Sequence, residues 1–179
     1  RLKELEPHAI GIKGLYVPQT GIVDYKKVTA AYADKGRDAG GDIRLSQKVV
    51  GILDRPAEIV LQTTGGDYRT KHVINCCGLQ SDLVARMARD RAAASEHRII
   101  PFRGEYYKLA AERQFLVRNL IYPVPDPTFP FLGVHFTRMA RGGVEAGPNA
   151  VFAYAREGYR HTDINLRDLW RTISFAGFW

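Results

Sequence analysis

The 179 residues contain no G-x-G-x-x-G and no G-x-x-x-x-G-K-[ST], so neither common phosphate-binding loop is present. G-x-S-x-G is also absent, and no group of His, Cys, Asp and Glu has metal-ligand spacing. Cysteine is scarce: Cys76 and Cys77 stand side by side and no C-x-x-C occurs. Neighbours on a strand point to opposite faces, which makes the pair a poor disulfide and a poor metal site and favours two reduced thiols in a reducing, cytoplasmic setting, with a strained vicinal disulfide as the alternative. No apolar run approaches the ~18 residues of a membrane span, and the chain does not open on a signal-peptide pattern. The charge is unbalanced, with 26 Lys and Arg against 19 Asp and Glu for a net +7. The basic residues are scattered, with no block of about five or six, which argues against nucleic acid. An anion preference remains open, for acidic substrates, phosphates or peripheral contact with an acidic membrane face, beside the plainer reading that a piece of a protein need not be charge-balanced. The first residue is Arg1 and the last stretch is the apolar "SFAGFW", so an internal fragment is expected.

What is present reads as a mixed α+β chain. "GLYVPQTGIVDY" opens with a short strand broken by Pro18 and turning at Gly21. Asp24 is a good N-cap for a helix through "YKKVTAAYADKGRDAG", which ends at Gly40-Gly41. Short strands follow in "DIRLS", "KVVGIL" and "EIVLQTT", and Gly65-Gly66 turns the chain into "YRTKHVIN". "KHVINCCGLQSD" then reads as a buried strand at Val73 and Ile74, a small-residue turn, and a helix start at Ser81 or Asp82. That order is the second half of a doubly wound unit with a β-excursion inserted in it. After the helix "DLVARMARDRAAASEH" the texture changes. "RIIPFRGEYYKL", "FLVRNLIYPVP", "FPFLGVHFT" and "GGVEAGPNAV" are aromatic strands between Pro and Gly, which suggests an antiparallel sheet. "TDINLRDLWRTISFAGFW" reads as an amphipathic helix with Leu166, Leu169, Trp170 and Ile173 on one face.

Four stretches could carry chemistry. Small residues at Cys76-Cys77-Gly78 permit either a ligand or a packed helix to come close. In "PFRGEYY", Arg103 beside Gly104 suits a carboxylate, although it reads equally as a surface arginine on an edge strand. In "LIYPVPDPTFPFLGVHFTRM", alternation turns His135 away from Leu132, Val134 and Phe136, toward Gly133 and Thr137. Imidazole is the commonest general base, but a lone strand histidine is as readily structural. Gly147-Pro148-Asn149 is a turn signal, either at a site or in a plain hairpin.

Taken together, "GLYVPQTGIVDY", "VINCCGLQSD", "IIPFRGEYYKL", "IYPVPDPTFPFLGVHFTRM" and "GPNAVFAYAREGYR" resemble the FAD-dependent D-amino-acid oxidase/glycerol-3-phosphate dehydrogenase superfamily, and within it the L-2-hydroxyglutarate oxidase/dehydrogenase family. The resemblance spans nearly the whole chain in family order. It implies a partial FAD-binding, Rossmann-like half plus an antiparallel substrate-domain sheet. Residues 1–23 would be a substrate-domain strand and linker, and 24–97 a partial FAD-binding domain without its G-x-G-x-x-G. Residues 98–164 would be the substrate-binding sheet, and 165–179 the start of a helical segment. The cofactor implied is FAD, held weakly or not at all by this piece alone. Val49 would contact the adenine through its backbone, and Cys77 and Gly78 would lie along the dinucleotide. A small dicarboxylate substrate would be held by Arg103, Tyr106, Tyr122 and Arg138, and His135 would take the hydroxyl proton as hydride leaves for the flavin. Electrons would pass to oxygen or a quinone-type acceptor. Glycerol 3-phosphate or an amino acid is the related alternative substrate, and an inactive anion- or protein-binding fragment is the alternative of another class.

Overall fold

The computed structural model describes residues 1–88, 97–128 and 133–179. They form short helices and two three-stranded antiparallel sheets, which bears out the mixed α+β class. The chain divides into two compact units, Arg1–Asp42 with Arg103–Val151, and Ile43–Phe102 with Phe152–Trp179. The sequence-based cuts fell at 23/24, 97/98 and 164/165.

In the first unit, helix α1 (Leu2–Leu5) leads into Glu6, which is buried. The Glu6 carboxylate accepts the backbone N–H groups of Arg118 and Asn119 and, at 2.8 Å, the Asn119 side chain. A buried carboxylate needs such donors, and here they fasten the amino-terminal segment to the 118–119 loop. Helix α2 (Tyr25–Asp38) starts where expected, with the Asp24 side chain accepting Lys26 N–H at 3.0 Å. The Arg141 guanidinium grips the other Asp24 oxygen at 2.7 Å. The apolar residues of α2 are not covered; Tyr25 and Tyr32 face solvent.

The sheet of this unit contains β4 (Phe102–Lys108), β5 (His135–Arg138) and β6 (Val144–Phe152), in the order β4-β6-β5. Strands β5 and β6 are joined through Gly142 and Gly143, whose φ values of 90° and 92° suit glycine. Their register runs from Arg138↔Val144 to His135↔Gly147. Val144 and Val117 form the buried centre. Two expectations change here. Gly147-Pro148-Asn149 is not a turn but lies inside β6, with a cis peptide at Gly147–Pro148. "FLVRNLIYPVP" contributes one bridge, Ile121↔Phe136, because its prolines remove ladder donors. The first part of "FPFLGVHFT", 129–132, lies outside the described residues.

In the second unit, β1 (Val49–Asp54), β2 (Ile59–Thr63) and β3 (Gly66–Thr70) form the expected meander, with Val60 buried at its centre. Thr63 pairs with Gly66, so Thr64-Gly65 is a two-residue hairpin loop closed by Gly66 at φ 128°. "DIRLS" is not a strand: Ser46 takes φ 57°, outside the extended region, and Arg44 stacks on the Tyr68 ring at 5.1 Å. The buried strand expected at 71–77 is also unformed. Ile74 is 88% exposed and both cysteines are exposed. No described strand pairs with this stretch, and Asn75 makes local bonds instead, accepting Cys77 N–H at 3.2 Å and donating to Ser81 O at 2.7 Å.

Helix α3 (Ser81–Ala85) follows the 3₁₀ turn Gly78–Gln80, and the remainder of the expected helix, 89–96, lies outside the described residues. Phe152 gathers Phe102, Tyr154 and Phe178 at centroid distances of 5.4–5.7 Å. Helix α4 (Leu166–Ile173) is capped by Asn165, which accepts Arg167 and Asp168 N–H. Its apolar face is turned outward, with Trp170 67% exposed and Thr172 the buried residue. None of the described helices is long and apolar enough to cross a membrane.

Candidate functional site

His135 opens β5 and is 7% exposed. It sits opposite Gly147 of β6, and directly opposed residues share a sheet face. A Cβ built on Gly147 would come 2.6 Å from Cδ1 of Tyr106 and 2.8 Å from the backbone oxygen of Glu105. Glycine is therefore required because β4 and its Tyr106 ring fill the side-chain space. Gly147→Ala should lower the stability of the full-length protein by about 1–3 kcal/mol, since a backbone oxygen cannot swing aside. A urea midpoint within error of the wild type would show that β4 tolerates the shift.

The Tyr122 ring stacks on the imidazole at 4.5 Å and 18°, and Tyr106 meets it edge-on at 6.3 Å and 75°. The Gly133 carbonyl oxygen lies 3.0 Å from Nδ1. A carbonyl can only accept, so Nδ1 carries a hydrogen and the neutral ring keeps its lone pair on Nε2. Two aromatic rings and one hydrogen bond thus fix both the plane and the tautomer of the ring. An imidazole held this way can accept a proton at one defined atom.

Arg138 ends β5 and spends Nε on Val117 O at 3.0 Å and Nη2 on Gln114 O at 3.4 Å, pinning the 3₁₀ turn Ala111–Leu116. Arg138 and Tyr122 line one open groove of about 580 Å³, with Asn119 and the 15–22 segment, including Tyr16, Pro18 and Ile22, completing its walls. Asp126, beyond Tyr122, accepts both the hydroxyl and the backbone N–H of Thr128, and these bonds, the hydroxyl first, hold its carboxyl below the usual range. The Asp126–Thr128 bonds set the bend of the proline-rich loop.

His135, Tyr106 and Tyr122 are therefore together, and Arg138 shares the groove with Tyr122. Arg103 is placed differently. Its Nε and Nη2 both donate to Glu105 Oε1, at 3.1 and 2.7 Å, and strand alternation puts this pair on the face away from Tyr106. The three residues expected along a dinucleotide lie in the second unit. Val49 begins β1, half-buried and paired with Thr63. Cys77 is exposed, and Gly78 has φ 51° with open space where a side chain would stand. Sequence reasoning did not assign the Glu6 clasp or the groove wall at 15–22, because both depend on contacts across about a hundred residues.

The family profile for FAD dependent oxidoreductases (DAO) matches residues 1–174. Among curated proteins, the chain is 52% identical over 99% of its length to L-2-hydroxyglutarate dehydrogenase of Indibacter alkaliphilus. It is 43% identical over 98% to the protein of that name from Escherichia coli strain K12, and 38% identical over 98% to the mitochondrial one of Homo sapiens. The chain spans 44%, 41% and 40% of these relatives respectively, less than half of each. With a family match that covers nearly every residue and both sheets, the chain belongs to the DAO family of FAD-dependent oxidoreductases.

Proposed function

We propose that this chain is the substrate-side part of an enzyme that oxidises L-2-hydroxyglutarate to 2-oxoglutarate, with His135 as the base. The observation that carries the reading is the fixed imidazole, stacked on a groove-lining tyrosine and keeping Nε2 as a proton acceptor. Relatives named for this substrate support the choice of a dicarboxylic 2-hydroxy acid. FAD, when bound, supplies the two-electron acceptor for the hydride from C2. His135 Nε2 takes the hydroxyl proton, so that the carbonyl forms without a charged alkoxide. Tyr122 holds the imidazole plane, and Tyr106 packs edge-on against it. Arg138, in the groove wall, offers cationic charge to a substrate carboxylate. Arg103 serves the same substrate from the opposite sheet face only if its pair with Glu105 opens, so its part is secondary to that of Arg138.

The second-unit residues fit FAD as a side contact. Gly78 is an open, left-handed glycine beside exposed Cys77, which lets a ligand approach the backbone, and the half-buried edge of β1 at Val49 offers backbone groups to an adenine. The sequence has no glycine-rich loop for the diphosphate, so these contacts supplement a cradle rather than form one. The reading is tested with the full-length protein under anaerobic conditions. L-2-hydroxyglutarate should bleach the flavin absorption and yield 2-oxoglutarate, whereas glycerol 3-phosphate and amino acids should not. A flavin that stays oxidised with L-2-hydroxyglutarate, or one that bleaches with another member of the panel alone, sinks the assignment. Oxygen consumption against quinone reduction then identifies the electron acceptor.

A further inference from the structure

The second unit encloses a small void remote in sequence from His135. Its walls are Asp82, Leu83, Arg86, Arg98, Ile99, Arg156 and Arg171, and its volume of about 10 Å³ admits one water-sized body. Among the described residues, four arginines thus line a void with a single carboxylate in its wall. That carboxylate is already engaged: Asp82 accepts Arg156 Nη1 on one oxygen and Nη2 on the other, both at 2.7 Å, with Ile99 N–H at 3.5 Å. The nearby carbonyls are also used, Leu79 O by Arg156 and Arg171 O by Arg98. Even so, the Nε–H groups of Arg86, Arg98 and Arg156 are buried without a hydrogen-bond acceptor among the described residues. Asp168 comes no nearer than 3.8 Å to Arg156 Nε. Three orphaned donors around one void are unusual, because each buried unpaired donor is costly.

We propose that this void binds one monoatomic anion, a halide such as chloride, through the N–H groups of Arg86, Arg98 and Arg156. Three features select that occupant. Size excludes phosphate, sulfate and carboxylate ligands. Donor excess disfavours water, whose two lone pairs cannot accept three N–H groups at once. Charge favours an anion, as the four arginines outnumber Asp82 in the wall and Asp168 beside it. The same excess acts on Arg171, whose guanidinium is lowered from its usual value by burial first, then by Arg167 and Arg156, against an opposing pull from Asp168. Lined by guanidinium edges and closed by the Asp82–Arg156 pair, the site would hold a halide as a structural counter-ion, independent of substrate turnover.

The test uses the full-length protein exchanged into gluconate. Bromide titrated at constant ionic strength should raise Tm saturably, by roughly 3–8 °C at a hundredfold excess over Kd. Crystals grown in bromide should show an anomalous peak inside the void. Arg86→Gln is the informative variant, since among the described residues its guanidinium makes only a long 3.5 Å bond, to His97 O, so folding should survive. It should weaken half-saturation by about tenfold or more, the loss of one charge-assisted bond. An anomalous map without a peak in the void overturns the proposal. So does a void filled by water or by a carboxylate from elsewhere in the whole protein, and so does a Tm response equal in the wild type and Arg86→Gln.

Discussion

His135→Ala in the full-length enzyme should slow flavin reduction by L-2-hydroxyglutarate by about 10²–10⁴-fold, the usual worth of a positioned base. The loss should appear in the reduction rate at saturating substrate, because the imidazole acts on the hydroxyl proton in the transition state rather than on binding. Truncation also removes a ring stacked on Tyr122 at 4.5 Å, and that packing is worth about 0.5–1.5 kcal/mol on its own. Two further measurements separate these effects. Added imidazole should restore part of the reduction rate of the variant, which loss of packing alone would not allow. Tyr122→Phe keeps the stack and should stay within about tenfold of the wild type, since a phenyl face serves as well. A His135→Ala enzyme that loses tenfold or less and does not respond to imidazole has another base.

The elements legible in the sequence were those specified locally. Asp24 and the glycine pair after it bracketed α2, and alternation with Gly65-Gly66 marked the β1–β2–β3 meander. Elements that depend on a partner were less legible. Residues 71–77 have the apolar content of a buried strand, yet no described strand pairs with them, and Asn75 satisfies its neighbours locally. Helix α4 carries the amphipathic pattern expected, but the pattern cannot say that Trp170 faces outward while Thr172 is buried. At the site, Gly147 was visible as a turn former, whereas its use as the slot for Tyr106 depends on a ring from another strand. His135 stood out because its strand neighbours are small, and the structure fills that space with Tyr122. Its tautomer was not legible, since Gly133 O approaches Nδ1 only through the local path of the backbone.

The second large effect concerns Arg156, which no motif marks. Arg156→Met in the full-length protein should cost about 3–5 kcal/mol of stability, because it leaves a buried carboxylate without its counter-charge. The geometry gives the reason. Both Asp82 oxygens are filled by Arg156, and the two side chains are only 5% and 7% exposed. Once the guanidinium is removed, Asp82 retains one long bond from Ile99 N–H, and Leu79 O loses its donor. Asp82→Ala should cost a similar amount for the mirrored reason, a stranded guanidinium among Arg86, Arg98 and Arg171. Asp82→Leu combined with Arg156→Met removes both charges and substitutes apolar volume, so most of the loss should return. If the double variant is as unstable as the two single losses added together, the residues act independently. Residue 156 would then be held chiefly to α4, where Asp168 accepts its backbone N–H at 3.1 Å, a bond that Met would preserve. Flavin reduction by the folded fraction should be unchanged throughout, because neither side chain lines the groove at Tyr122 and Arg138.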